Sequence, residues 1–279
     1  MPESQAFEAR SGAVTLAGEA AGDGPPIVLL HGLTATRRYV VMGSRVLERS
    51  GWRVIAYDAR GHGESSPAPD PAAYAYPDLV ADLGAVLDHH GVDRAVLVGN
   101  SMGAHTAAAF ALRSPERVAA LVFTTPASTG EAPTDVAHWD ALADALERGG
   151  IDGFVAAYRP HVPEAWRDTV LTVVRQRLER HRDLRAIADA LRAVPRSVPF
   201  DGLEALAAID APALVVGSRD EADPGHPLAV AERWAATLPG AERLVEEEGR
   251  SPLAWQGARL SRAIAEFLGR AGLAPADGR

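Results

Sequence analysis

Ser101 lies in Gly99-Asn100-Ser101-Met102-Gly103, between the apolar run Ala95-Val96-Leu97-Val98 and the helix-forming stretch Ala104 to Leu112. A serine on a sharp turn from strand into helix presents its hydroxyl as a nucleophile. Such a turn needs near-bare neighbours, which Gly99 and Gly103 supply. The competing reading is an ordinary glycine-rich turn; here strand, glycines and helix agree on the nucleophile. Cysteine and lysine are both absent from the 279 residues. Disulfides, thiolate nucleophiles, cysteine-based metal sites, Schiff bases and lysine general bases are therefore excluded.

Elements that would position such a serine surround it. Ile27-Val28-Leu29-Leu30 reads as a short buried strand ending in His31-Gly32-Leu33, and Val54-Ile55-Ala56-Tyr57 as another, followed by Asp58-Ala59-Arg60-Gly61-His62-Gly63-Glu64-Ser65. With the serine turn, these segments resemble the α/β-hydrolase superfamily, across nearly all of residues 20 to 270. The resemblance implies a doubly wound, mostly parallel central sheet. It also implies an oxyanion hole made by the backbone N–H groups of Leu33 and Met102. His31 is expected to pack and hydrogen-bond beneath its turn, and the 58–65 loop to serve as scaffold, with Asp58 paired to Arg60 and His62 on the surface.

The same resemblance places an acid just past the strand Ala213-Leu214-Val215-Val216. Asp220 is the first choice for the orienting carboxylate and Asp223, on the same loop, the alternative. The family's histidine should then precede the final helix, Leu260 to Leu268. The matching segment reads Gly249-Arg250-Ser251-Pro252, and no histidine follows His226. Arginine stays protonated at any accessible pH and cannot be a general base. Three readings stay open. His226, in Asp223-Pro224-Gly225-His226-Pro227, has moved into reach of Ser101 and acts as base, against the plainer reading of a rigid surface turn before a helix at Leu228 to Thr237. Arg250 is itself functional, gripping a substrate carboxylate or pairing with Asp220. Or catalysis is lost and the fold survives as a ligand-binding module. His105, four residues past Ser101, is a weaker candidate for the base, against the plainer reading of a side chain packed or hydrogen-bonded between helix and sheet, and His89 and His90 are read as surface residues at a helix end.

From about Ala127 to Phe200 the strand-like runs stop, and helices are expected over His138–Arg148, Ile151–Tyr158, Trp166–Arg182 and Leu184–Ala193, broken by Gly149-Gly150, Pro160 and Pro163. This gives a core of residues 1–126 and 201–279 and a helical cap of residues 127–200. Trp139, Phe154, Tyr158 and Trp166 are candidates to line a pocket beneath the cap or to pack it; His138, His161 and His181 are expected on solvated faces.

A net charge of −9 with scattered arginines argues against nucleic-acid or anionic-membrane binding. No signal peptide or membrane-spanning run is visible, so a soluble cytoplasmic protein is expected. No nucleotide, metal or haem motif appears, and neither cofactor nor metal is expected. The reading that combines these features is hydrolysis of a small ester, lactone or related acyl compound by Ser101. Carbon–carbon bond hydrolysis, suggested by Asn100 in the elbow, is a further alternative.

Overall fold

The computed structural model describes residues 3–131, 136–219 and 223–275. In chain order the elements are β1 (Gln5–Ser11), β2 (Val14–Ala21), β3 (Pro26–Leu30), α1 (Val46–Arg49), β4 (Arg53–Tyr57), α2 (Tyr76–His89), β5 (Ala95–Asn100), α3 (Met102–Arg113), β6 (Val118–Thr124), α4 (Ala137–Ala157), α5 (Glu164–Leu178), α6 (Leu184–Ala193), β7 (Ala213–Val216), α7 (Leu228–Thr237), β8 (Glu242–Leu244) and α8 (Gly257–Arg270). The eight strands form one sheet in the order β1-β2-β4-β3-β5-β6-β7-β8. Only the β1–β2 and β2–β4 pairings are antiparallel. This is the doubly wound architecture expected from the sequence.

Period-2 alternation explains why the central strands read as unbroken apolar runs. Val28, Leu30 and Leu97 face one side, where they pack with Ala104, Ala107 and Ala108 of α3, Leu83 and Leu87 of α2 and Trp234 of α7. Ile27, Leu29, Val96 and Val98 face the other, against Leu47 of α1 and Leu260, Ile264, Phe267 and Leu268 of α8. A strand covered by helices on both faces has no polar side to show.

The chain winds outward from β3 to β4 on one side and to β5 on the other. The carboxyl ends of β3 and β5 therefore bracket a topological switch point, the usual place for a ligand crevice in such sheets. Above that edge lies the segment between β6 and β7, in which α4, α5 and α6 are helical and no strand occurs among the described residues. It has its own core, built from Leu142, Leu146, Phe154, Leu178, Ile187 and Leu191. Gly150 is non-helical inside α4, at φ 58° and ψ −150°, so the helix kinks at the Gly149-Gly150 pair. Ala186, Ala190 and Val194 join this segment to Tyr74, Tyr76, Leu79 and Met102 of the sheet domain. Among the described residues no helix is long and apolar enough to cross a membrane.

Candidate active site

Ser101 joins β5 to α3 with φ 50° and ψ −110°, a conformation that L residues rarely adopt and that costs on the order of 1–3 kcal/mol. The surroundings dictate it. A Cβ at Gly99 would stand 2.3 Å from the Gly103 carbonyl oxygen, and one at Gly103 only 2.2 Å from that of Leu30, so neither position accepts a side chain. The Ser101 N–H donates to the Thr124 carbonyl at 3.0 Å, tying the turn to β6.

The Ser101 hydroxyl meets His226. Nε2 of the ring lies 2.9 Å from Ser101 Oγ, and Nδ1 lies 2.8 Å from Asp223 Oδ1. An ionised carboxylate only accepts, so Nδ1 carries the proton and donates it to Asp223, while Nε2 is free to accept from the serine. The turn is local: the His226 N–H donates to the Asp223 carbonyl at 3.0 Å across Pro224-Gly225, which places both side chains on one side of the loop after β7. Burial pushes the Asp223 carboxyl up, but the charge and hydrogen bond of His226 and the charge of Arg177 outweigh it, and the group ends below the ordinary aspartate value.

Facing the serine is the His31-Gly32 turn, close enough that a Cβ at Gly32 would sit 3.3 Å from Ser101 Cβ. The Ala35 N–H donates to the Gly32 carbonyl at 3.0 Å and holds the turn closed. The backbone N–H groups of Leu33 and Met102 have no acceptor among the described residues. Beneath the turn, His31 Nε2 accepts from the Ala59 N–H at 2.9 Å, so Nδ1–H donates to the Gly32 carbonyl at 2.8 Å. His105 is buried as expected. Its Nδ1 faces the Ser101 carbonyl at 3.0 Å, and Ser128 Oγ lies 3.0 Å from its Nε2.

Several sequence expectations need correction. Asp220, the first choice for the acid, lies outside the described residues, and the carboxylate against His226 is that of Asp223. Arg250 is not in the site. It is exposed on the turn after β8, where its N–H donates to the Glu247 carbonyl at 3.1 Å and its Nε faces the Glu247 carboxylate at 3.8 Å. The segment that carries it does serve the site from behind: buried Glu246 accepts from the Arg219 N–H at 2.6 Å and from the Leu253 N–H at 3.2 Å, pinning the loop after β7. Asp58 does not pair with Arg60; it pairs with Arg37 and accepts from the Glu64 N–H at 3.1 Å. Arg60 instead forms a bidentate pair with Asp82 of α2, at 2.7 Å on both oxygens.

His62 and His181 are buried, not solvated. His181, just after α5, accepts from the Gly63 N–H at 2.8 Å and donates to the Thr34 carbonyl at 3.0 Å, so the helical segment is hydrogen-bonded to the turn opposite Ser101. His31, His62 and His181 stand in a row, with ring centroids 5.0 and 5.5 Å apart. Burial lowers all three pKa values, His62 well below the ordinary histidine value and His181 to about 4. In the unfolded chain they titrate near 6.5, so acid favours unfolding. Their stabilising effect is complete above about pH 6.5 and is lost as pH falls below it; for His181 the loss runs down to about pH 4, on the order of 3 kcal/mol. Melting temperature should drop steeply over that range, and His181→Asn, which keeps an acceptor for Gly63 without a titrating ring, should flatten the decline. An unchanged slope in that variant would assign the acid sensitivity to other groups.

Phe154 is packed into the core of the helical segment, with Tyr158 stacked on it at 6.0 Å. Trp166 meets Trp255 edge-on at 6.2 Å, linking α5 to the segment before α8.

The family model described as "alpha/beta hydrolase fold" matches residues 25–257. A 2-hydroxy-6-oxononadienedioate/2-hydroxy-6-oxononatrienedioate hydrolase of Burkholderia vietnamiensis is 33% identical over 232 residues, 79% of this chain and 78% of the relative. Epoxide hydrolase 2 of Siraitia grosvenorii is 39% identical over 104 residues, 36% of this chain, and the chain spans only about a third (32%) of that relative's length. A thermophilic esterase from Thermogutta terrifontis superposes with a TM-score of 0.79 at 27% identity, covering 96% of this chain and 99% of the esterase. A β5–Ser101–α3 elbow, a doubly wound sheet and a family match over most of the chain lead to one conclusion: this chain belongs to the α/β-hydrolase family.

Proposed function

We infer that this protein is a serine hydrolase of small acyl compounds, esters or lactones, in which His226 rather than a histidine before the last helix is the general base and Asp223 is its partner. The observation that carries this reading is the continuous hydrogen-bonded chain from Ser101 Oγ through His226 to Asp223, at 2.9 and 2.8 Å. Ser101 would attack the acyl carbon while His226 Nε2 takes its proton, and Asp223 would stabilise the imidazolium through Nδ1–H. The developing oxyanion would lie against the Leu33 and Met102 N–H groups, fixed in place before reaction by the elbow and the His31-Gly32 turn. His226 then returns the proton to the leaving oxygen, and a water, deprotonated by the same ring, releases the acid and restores the serine. The helices between β6 and β7 would form a cap over this edge, limiting water access.

A second reading is hydrolysis of a carbon–carbon bond beside a carbonyl: the Burkholderia relative is named a hydrolase of 2-hydroxy-6-oxononadienedioate, an oxo acid with no ester or lactone in its name, and His226 would then return the proton to the leaving carbon.

The test is covalent labelling with a fluorophosphonate followed by peptide mass spectrometry. Rapid labelling confined to Ser101, abolished in Ser101→Ala and in His226→Ala, is the expected result. Absence of labelling in the native protein would overturn the reading.

A further inference from the structure

Several arginines in the helical segment have carboxylate partners: Arg175 meets Asp152 at 2.7 Å, Arg192 meets Asp144 and Glu147 at 2.7 and 2.8 Å, and Arg196 meets Asp140 at 2.7 Å. Arg177 of α5 does not. Its Nε is screened from solvent with no hydrogen-bond partner, and its guanidinium makes no hydrogen bond or ion pair with any described residue. It lies over the Tyr39 ring, 5.5 Å from the centroid, and its charge is felt by Asp223 and Tyr158. Burial pushes its pKa below the usual arginine value despite those neighbours. Tyr158, close by, has no hydrogen-bond partner for its hydroxyl among the described residues.

Arg177 is half-buried, and a guanidinium whose Nε is cut off from water without a partner is costly, so a native fold seldom keeps one without a use for it. Asp223 does not complete it. That carboxylate is committed to His226 and stands no closer than electrostatic reach. What the guanidinium lacks is a planar, bidentate acceptor; its charge acts on Asp223, the carboxylate held against His226, so a ligand with its carbonyl at Ser101 could carry such an acceptor towards it.

We propose that Arg177, with the Tyr158 hydroxyl, binds a carboxylate carried by the substrate, so that the preferred substrates are acyl compounds bearing a second, anionic carboxylate group. This rests on the Ser101–His226 reading for the position of the reacting carbonyl, and it makes the helical segment the determinant of substrate charge. Neutral esters would leave the guanidinium unpaired and bind less tightly.

The experiment compares p-nitrophenyl hemisuccinate, hemiglutarate and hemiadipate with their methyl-capped, neutral counterparts. For the best chain length, the native enzyme should prefer the anionic ester in kcat/KM, chiefly through KM, and Arg177→Gln should lower the anionic-to-neutral ratio by roughly ten- to a hundredfold, with Arg177→Lys recovering part of it. If Arg177 only supports Asp223, both esters suffer alike and the ratio holds, which overturns the proposal; so does a native enzyme with no anionic preference. Calorimetric binding of glutarate to Ser101→Ala, lost when Arg177→Gln is added, reads the site without chemistry. Loss of fluorophosphonate labelling together with intact, Arg177-dependent glutarate binding would sink the hydrolase reading, and with it the substrate preference, and leave only a carboxylate-binding site at Arg177.

Discussion

His226→Ala is expected to lower kcat on an activated ester by on the order of 10⁶, about 8 kcal/mol of transition-state stabilisation, because in a serine enzyme built on the same three roles removal of the histidine alone costs about as much as removal of the whole triad. Asp223→Asn should cost less, roughly 10⁴, since it leaves the imidazole in place but withdraws the acceptor that fixes its tautomer and steadies its charge. A residual rate above that of water should survive in both, from substrate binding and the N–H groups of Leu33 and Met102. The decisive comparison is with position 250. Adding Arg250→His to His226→Ala should restore nothing, because residue 250 is exposed and turned towards Glu247, away from the hydrogen-bonded chain at Ser101. Steady-state kinetics on a p-nitrophenyl ester settle the matter. A rescue by Arg250→His, or a His226→Ala enzyme within tenfold of the native rate, would return the base to the slot before α8.

Much of this was legible in the sequence because it is local. Ser101 could be found from five residues and their flanks, since the elbow's sterics act within one turn. The buried strands β3, β4, β5 and β7 showed as continuous apolar runs for the same reason. The β1–β2 hairpin lay outside the recognised pattern: β1 is an edge strand with mostly exposed side chains, and three-residue β8 has no fully buried residue. His226 was readable as a candidate only because the expected histidine was missing and a Pro-Gly turn put another near the right edge. The choice between Asp220 and Asp223, three positions apart on one loop, depended on which carboxylate faces the His226 ring, which spacing does not encode. Arg177 and His181 were out of reach for a different reason. In a stretch containing Arg175, Arg177, Arg180 and Arg182, every basic side chain looks like part of a solvated helix face. Only the packing of α5 against Tyr39 and the 58–65 loop separates the buried ones. The expected Asp58–Arg60 pair failed similarly, because sequence proximity says nothing of Asp82, which lies 22 residues on and faces the arginine from α2.

Asp82→Asn should cost about 3–5 kcal/mol of folding stability, the usual result of removing one partner from a buried pair and leaving the other charge uncompensated. The geometry makes the estimate apply here. Asp82 is 0% and Arg60 6% exposed, both carboxylate oxygens are engaged at 2.7 Å, and the guanidinium further donates to the Ala73 carbonyl at 2.9 Å. Asp78, 3.2 Å from Arg60 and partly exposed, offers some residual compensation, which argues for the lower end of that range. Replacing both members, Arg60→Met with Asp82→Leu, should recover most of the loss, since the cost lies in the orphaned charge and not in the absence of an ion pair. Denaturant midpoints at neutral pH measure both. Activity should follow a different course: Arg60 anchors the loop whose Gly63 N–H donates to His181 and through it reaches the Thr34 carbonyl beside the His31-Gly32 turn, so the double variant, though stable, should turn over more slowly than the native protein. A single variant within 1 kcal/mol of native stability would show that water or Asp78 already shields this arginine. A double variant with native turnover would show that the turn opposite Ser101 keeps its geometry without the loop's anchor.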